Sequence, residues 1–599
     1  MAATLEEKHV LKGGEFLIAD ADYRTTFIPE EFNEEQRMVW EMVMDFIRQE
    51  IKPNLDKIEK QEDNIAPRLL EKMAELGLLG SHMPETYGGL EMDTNTNTLI
   101  CEAMGGSSGS FTVSYAAHTG IGMLPILYYG NDAQKEEYLP RLINGELKAA
   151  YCLTEPGSGS DAMGAKTTAT RDGDDYLLNG QKMWISNAGF ADVFIVFAQV
   201  DGDKFTGFIV PRHLDGLTLG AEEDKLGIKG SSTRQVFFEN VRVPASNSLG
   251  EIGKGHLIAF NVLNVGRFKL HALSVGGAKR AIEVGIRYAN ERIQFKQPIA
   301  NFGAIKYKIG EVGIRIFAGE SALYRVSQQI QDMNKQLMEQ GKSFSQAKLL
   351  SAEEYAIECA LLKFLGSETL DYTVDEVVQI HGGMGYSEET LAPRMYRDSR
   401  INRIYEGTNE INRLLSVDML LRRAMKGALD IVGPAWDVQK ELSGMPALER
   451  PTGEYGEEIK AVKDFKKLIL MVAGAAAKQQ MDGKINLKSE QEILMNVADM
   501  LGDLLQAEST LLRVQKLRET GSGTHPMEVY DAVLRTYLHD ATARMAKNAT
   551  DAVASFVEGD LLRTFTMGIK RFTKYPPQNV KAMRRMVADV LITANEYTL

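Results

Sequence analysis

In the run Arg400-Ile401-Asn402-Arg403-Ile404-Tyr405-Glu406-Gly407-Thr408-Asn409, one carboxylate stands between an apolar pair and a Gly-Thr step that lets the backbone pass close to a ligand. A Glu crowded by Ile404, Tyr405 and a flat aromatic ligand loses hydration, which raises its pKa towards neutrality and makes it a better proton acceptor. That is the chemistry of a general base. Taken alone, a Glu in a turn is more often a solvated carboxylate, so Glu406 counts only if other stretches build a site around it.

Three stretches offer to do so. Thr154-Glu155-Pro156-Gly157-Ser158-Gly159-Ser160-Asp161 follows a strand-like run, and its small residues let backbone N–H groups and hydroxyls close on an anion or a ring edge. Its spacing fits neither a P-loop nor a dinucleotide fingerprint, and by itself it reads better as a simple turn. Trp184-Ile185-Ser186-Asn187 puts one of three tryptophans at a strand end, with a hydroxyl two residues on along the same face. Such an indole either stacks on a ring system or fills a core. Gln379-Ile380-His381-Gly382-Gly383-Met384-Gly385-Tyr386 bares backbone inside a helical region, which marks close approach of a ligand or another chain. His381 has no companion at metal-ligand spacing and reads as a packing histidine; no metal site is expected.

The elements that must hold these stretches fall into five parts: 1–30, 31–147, 148–256, 257–425 and 426–599. The first, with Gly13-Gly14 and Pro29, reads as an arm lying on the fold. A helix starts at Asn33, whose cap is followed by Glu34 and Glu35 and then by Val39, Met42, Val43, Phe46, Ile47 and Ile51 at helical spacing. Further helices over 67–79, 95–104 and 112–129 make the second part all-α. From Leu147 the period changes to short β runs. Asn179-Gly180 between Tyr176-Leu177-Leu178 and the run Gln181 to Ser186 predicts a hairpin, and runs at 193–199, 205–210 and 235–243 complete a small antiparallel sheet. Helical periodicity returns at Leu257 and holds to about 425. Past Gly433-Pro434 comes a second helical region with a capping-box pattern, Ser489 to Glu492.

Composition narrows the function. A chain of 599 residues needs several domains. With 68 basic and 82 acidic residues the net charge is -14, which counts against nucleic acid as a partner. Cys101, Cys152 and Cys359 are far apart and suit a reducing compartment. The start, Met1 to Lys8, matches neither a signal nor a transit peptide, so a cytoplasmic protein is expected. The apolar run Leu468 to Ala477 is about half a bilayer span and reads as a buried helix.

In this order and at these separations, Tyr151 to Asp161, Trp184 to Asn187, Arg292-Ile293-Gln294-Phe295, Gln379 to Gly383 and Tyr405-Glu406-Gly407-Thr408 resemble the acyl-CoA dehydrogenase family over roughly residues 30 to 420. The resemblance implies a mainly α fold with a small middle β domain and a four-helix bundle, here with an extra helical carboxy-terminal part. It implies FAD, with Tyr151, Leu153 and Thr154 at the flavin edge, Gly159 and Ser160 near the pyrophosphate, and Trp184 and Ser186 against the ring. Arg292, Phe295, Gln379 and Gly383 would reach the cofactor of a second subunit, and Thr408 and Asn409 that of their own, which requires at least a homodimer. Asn264 and Arg267, in Asn264-Val265-Gly266-Arg267-Phe268, match the segment that holds the CoA part, with Ser160 and Gly407 as further substrate contacts. The family's usual Gly after Phe295 is Lys296 here. Some members carry the base just before the arginine; that position is Gly266, which leaves Glu406. Glu406 would take the α-proton of a fatty acyl-CoA while the β-hydrogen passes to the flavin, giving a trans-2-enoyl-CoA for β-oxidation and electrons for an electron-transfer flavoprotein.

Some 170 residues beyond the family core are similar to the very-long-chain branch. That implies a dimer, long acyl chains and peripheral contact with the inner face of a membrane, for which Lys570, Arg571, Lys574, Lys581, Arg584 and Arg585 offer a basic cluster. Val113, Ala116, Ala117 and Gly120 are small residues suited to a deep acyl tunnel. Two other readings stay open: an acyl-CoA oxidase on the same fold, and a DNA-binding relative of it, which the overall charge disfavours.

Overall fold

The computed structural model describes residues 10–444 and 451–599. The segment 1–8, read above as no leader, lies outside the described residues. The arm packs down: the Tyr355 hydroxyl donates to the Leu11 carbonyl (2.7 Å), the Gly14 N–H donates to Glu358 (2.7 Å), and Phe16, Leu17 and Ile28 are buried. The helix Glu34–Phe46 has the expected cap, Asn33 accepting from the Gln36 N–H (2.8 Å) and Gln36 answering to the Asn33 N–H (3.1 Å). Helices Ile65–Glu75 and Thr94–Gly105 follow. The predicted helix over 112–129 is broken into Gly109–Ala116, a π-type turn Ala117–Gly122, and Leu124–Tyr129. Such wide turns inside helices recur at functional sites, and this one lines the cavity described below.

The middle region is one sheet of eight strands: β1 Ala149–Cys152, β2 Thr168–Asp172, β3 Asp175–Ser186, β4 Val193–Val200, β5 Lys204–Pro211, β6 Leu217–Glu222, β7 Thr233–Pro244 and β8 Ser248–Leu249. Its order is β6-β7-β3-β2-β4-β5-β8, with β1 also paired to β4; the β1–β4 and β2–β4 pairings are parallel and the rest antiparallel. The Asn179-Gly180 hairpin is not formed. Those residues lie inside the continuous β3, and the real turn is Gly173-Asp174, across which Asp172 pairs with Asp175. Gly180 serves a close approach instead: a Cβ there would lie 2.8 Å from the Thr167 Cα, and the β3–β7 register shifts beside it. Asn179 is held by Asn240 across the same irregularity (2.8 Å to its N–H). Signals for a turn and for a bulge use the same residues, and the long partner strand β7 decides between them.

Four long helices, Gly255–Glu291, Gly303–Glu339, Ala356–His381 and Asn409–Met425, form the bundle. Beyond it Gly456–Met481, Gln491–Thr520 and Met527–Phe556 share one continuous apolar core with the bundle and the amino-terminal helices. The run 468–477 is part of this interior, with Leu468, Ile469 and Val472 fully buried, and no helix among the described residues is long and apolar enough to cross a membrane. The capping box at Ser489 does not form: the helix begins at Gln491 without a side-chain cap, and the Ser489 hydroxyl turns back to the Asn486 carbonyl. The basic cluster is also divided. Arg571 binds Glu441 and Arg584 is buried against Glu311 and Asp540, so two of its six charges are spent inside the fold.

Candidate active site

Glu406 sits in the turn between the short helix Arg400–Arg403 and the helix Asn409–Met425, whose first turn Thr408 caps by accepting from the Ile411 N–H. Its φ is 58°, with Gly407 following at 81°. A left-handed Glu is strained, and surroundings must hold it there. Lys363 Nζ donates to the Gly407 carbonyl (2.7 Å) and to Asn409 Oδ1 (2.8 Å), Asn412 Nδ2 donates to the Gly407 carbonyl (2.8 Å), and Arg267 Nε donates to the Glu406 carbonyl (3.2 Å). The backbone of the turn is therefore fastened from behind while the side chain points away.

That side chain is poorly satisfied. Glu406 Oε2 is buried without a partner, and desolvation pushes the carboxyl up to about 7 against the opposing pull of Arg267 and Lys363. A Cβ built on Gly266 would lie 2.7 Å from Oε2. A longer residue at 266 and the carboxylate of 406 thus compete for one place, although 140 residues separate them in sequence. From Glu406 a cavity of about 190 Å³ extends past Tyr405, Gly266 and Ser186, with Val113, Ala116, Ala117 and Gly120 in its wall.

The other predicted residues divide into groups. Tyr151 stands at the end of β1, its hydroxyl buried and unpartnered, and Leu153 and Thr154 follow half-buried. Trp184 is 51% exposed with φ 61°, held open at the end of β3 beside Ser186. Gly159 and Ser160 are exposed on a loop rooted by Glu155, which accepts from Lys182 (2.7 Å) and from the N–H groups of Lys166 (2.6 Å) and Thr167 (3.0 Å). Arg292, Phe295, Gln379 and Gly383 form a separate exposed surface, joined where His381 stacks on Tyr288 at 4.2 Å. Lys296 has φ 67°, which explains why glycine suits that position.

Several of the predicted contacts are also bound within the fold. Asn264 and Arg267 are both buried, Arg267 Nη1 donates to Asn264 Oδ1 (2.9 Å), and the pair braces the Glu406 backbone. Asn409 is 1% exposed and engaged by Lys363, Ser367 and Glu368, which makes it a strut of the turn. The Gly407 carbonyl is taken by Lys363 and Asn412. Sequence reasoning missed Lys363, Asn412, Lys182 and Arg413, which binds both Glu368 (2.7 Å) and Asp499 of the carboxy-terminal part (2.7 Å). A Lys and a Glu inside apolar helical faces were the available signals.

Family models described as the acyl-CoA dehydrogenase N-terminal, middle and C-terminal domains match residues 33–146, 150–241 and 253–421, and a further acyl-CoA dehydrogenase C-terminal domain matches 464–571. A probable acyl-CoA dehydrogenase of Bacillus subtilis (strain 168) is 45% identical over 593 residues, 98% of this chain and 99% of that protein. The chain belongs to the acyl-CoA dehydrogenase family. A crystal structure of an acyl-CoA dehydrogenase complexed with FAD from Bacillus anthracis superposes with a TM-score of 0.94 at 44% identity, covering 98% of this chain and all of that one. The very long-chain specific acyl-CoA dehydrogenase, mitochondrial, of Homo sapiens is 33% identical over 590 residues, 90% of this chain and 83% of that protein. Both match through the carboxy-terminal part, so this acyl-CoA dehydrogenase shares the extension as well as the core.

Proposed function

We propose that the protein is an FAD-dependent acyl-CoA dehydrogenase that converts long-chain acyl-CoA to trans-2-enoyl-CoA with Glu406 as base. The observation that carries this reading is the strained, desolvated carboxyl of Glu406 at the head of a cavity walled by small residues. The residues present fit FAD: a half-exposed indole at a strand end, an unpartnered Tyr151 hydroxyl and an open Gly-Ser loop suit a flat ring with a diphosphate arm. When bound, FAD supplies the acceptor for the β-hydrogen and its two electrons. Glu406 Oε2 removes the α-proton, and Arg267, Lys363 and Asn412 fix the backbone from which it acts. The apolar walls exclude water from the carboxyl and hold its pKa near 7, so that it is ionised yet basic at neutral pH.

Electrons would pass to an electron-transfer flavoprotein, as the family resemblance implies. Phe295 and Tyr386, 88% and 92% exposed, favour a second subunit over the surface that carries Arg292 and Gln379. Three free buried cysteines suit the cytoplasm. Anaerobic mixing of the yellow protein with acyl-CoAs of increasing length tests the proposal. Rapid bleaching by long chains, abolished in Glu406→Gln with FAD retained, is expected; bleaching by none of them would overturn it.

A further inference from the structure

One stripe of the Gly255–Glu291 helix lines the catalytic cavity, with Gly266, Leu270, Ser274, Gly277 and Arg280 recurring at helical spacing. The segment that leads back from the base lines it as well, through Asn402, Asp398 and Arg394. Both stripes run away from Glu406, so the cavity is a channel whose depth the helices measure. Ser274 stands eight residues beyond Gly266, against which the base packs. At a helical rise of about 1.5 Å per residue it lies about 12 Å along the axis. Asp398 is removed from Glu406 by the same eight residues, through the turn Arg400–Arg403, and sits at comparable depth.

At that depth the wall turns polar, and some of its polar atoms are idle. Ser274 is 1% exposed, and its hydroxyl has no partner. Other buried serines on helices of this chain turn back to the carbonyl four residues earlier: Ser321 to Phe317 (2.7 Å), Ser351 to Ala347 (2.8 Å) and Ser509 to Leu505 (2.6 Å). Ser274 makes no such bond to Leu270. Asp398 is buried and spends one oxygen on the Ile228 N–H (2.5 Å). Among the described residues its other oxygen accepts no hydrogen bond and meets no cation at ion-pair distance. A Cβ on Gly109, at the start of the helix Gly109–Ala116, would lie 2.8 Å from that oxygen. Burial pushes the carboxyl up to about 7 against the pull of the Ile228 N–H. Arg394, one turn earlier on the same helix, gives Nη2 to Asp56 (2.8 Å) and leaves Nη1 buried without a partner. Buried polar atoms ordinarily find partners, and a channel for a bare hydrocarbon chain has no use for idle ones in its wall.

We propose that Ser274, Asp398 and Arg394 form a polar collar that recognises a hydroxyl partway along the acyl chain, so that long-chain acyl-CoAs hydroxylated within the chain are substrates. The proposal rests on the dehydrogenase reading and deepens it by naming a substrate class. A secondary hydroxyl both accepts and donates: it accepts from Ser274 or Arg394 and donates to Asp398. An oxo group only accepts, and a methylene does neither. With C–C bonds of about 1.5 Å meeting at about 111°, an extended chain advances about 1.25 Å per carbon, so a depth of about 12 Å places the hydroxyl about ten carbons beyond the α-carbon. The reaction at the thioester end is unchanged: the α-proton goes to Glu406, the β-hydrogen and two electrons to FAD, and the hydroxyl takes no part.

The test compares hexadecanoyl-CoA with hydroxyhexadecanoyl-CoAs whose hydroxyl moves carbon by carbon along the outer half of the chain, using the FAD-loaded protein and an artificial electron acceptor. Relative to hexadecanoyl-CoA, kcat/KM is expected to peak for one position, about ten carbons beyond the α-carbon, with the oxo analogue at that position below it. In Ser274→Ala, the ratio of kcat/KM for the best hydroxy thioester over hexadecanoyl-CoA should fall by about 5-fold, as for one neutral hydrogen bond. In Asp398→Asn, an amide N–H takes the place of the idle acceptor while the Ile228 N–H keeps its own. The preference for the hydroxy over the oxo thioester should then fall by about 10-fold, as for a hydrogen bond to a charged group. Should Asp398→Asn fail to fold, Ser274→Ala still decides. Turnover of hexadecanoyl-CoA with no positional optimum among the hydroxy thioesters would overturn this proposal and leave the dehydrogenase standing. An optimum retained in both variants would overturn it too, as would an equal loss for plain, hydroxy and oxo thioesters, which would make both residues struts. Failure of every thioester, plain or hydroxylated, would sink the dehydrogenase reading and this one with it.

Discussion

Buried charge is handled in two different ways in this molecule. Where the carboxy-terminal part meets the bundle, Arg513 is 2% exposed yet bonded to Glu30 and Glu320 (2.7 Å each) and laid over the Phe317 ring, and Glu508 joins Arg325 (2.8 Å) to Lys466 (2.6 Å). Around the catalytic turn, the Glu406 carboxyl has an unpartnered oxygen, and Lys363 is held by a carbonyl and an amide oxygen, neither of them charged. Fully paired ions fasten elements together, because removing one member strands the others. Under-paired ones keep a pKa close to neutrality and so remain able to exchange a proton. The contrast separates scaffold from chemistry without reference to any substrate.

The largest effect should come from Glu406→Gln. Dehydrogenation is expected to fall by about 10⁴-fold, the upper range for loss of a general base, with FAD still bound. Stability should move the other way. The folded pKa of Glu406 lies above its ordinary 4.5, so its stabilising contribution is complete below about 4.5 and is lost as pH rises through about 7. At pH 8 the variant should therefore be more stable than the wild type, and denaturant unfolding at pH 5 and pH 8 measures the difference. Arg513→Met tests the scaffold side. It leaves Glu30 without its counter-charge and Glu320 with Lys279 alone, and should destabilise by about 3–5 kcal/mol, while activity per folded molecule is kept. A variant as stable as the wild type would break the comparison.

Gly266→Ala comes next. The new Cβ falls 2.7 Å from Glu406 Oε2, so the carboxyl must shift, and a displacement of that order should lower kcat by about 100-fold with little change in unfolding. Loss of stability without loss of kcat would show that the carboxyl is free to relocate.

Much of this was legible in the sequence, and the misses have physical causes. The apolar-Glu-Gly-Thr pattern offered Glu406 as a candidate base, and the strained, desolvated carboxyl found there is a local feature; choosing it over a solvated carboxylate took the family resemblance. The helix cap at Asn33 and the packing role of His381 are local as well. Asn179-Gly180 misled because the same dipeptide permits a turn or a bulge, and only the pairing of β3 with β7, some sixty residues on, chooses the bulge. Arg267 and Asn409 were assigned to ligands by the family resemblance alone; that they also brace the turn of Glu406 depends on how two distant helices face each other.

The smallest effect is also the most discriminating. Lys363 lies behind the base, its own pKa brought down to about 7 by burial, and it holds the Glu406 carboxyl down. In the wild type kcat/KM should rise with pH through about 7 as the carboxyl ionises, with a limb that belongs to the interacting pair rather than to Glu406 alone. Lys363→Met removes the positive neighbour, so the carboxyl becomes harder to ionise and the limb should move to higher pH by about one unit. The plateau should fall as well, because the Gly407 carbonyl and Asn409 each lose one of their donors. The two effects separate cleanly: a lower plateau with an unmoved limb would make Lys363 a mere strut, of the same kind as Arg513, whereas a displaced limb shows its charge acting on the proton that Glu406 must accept.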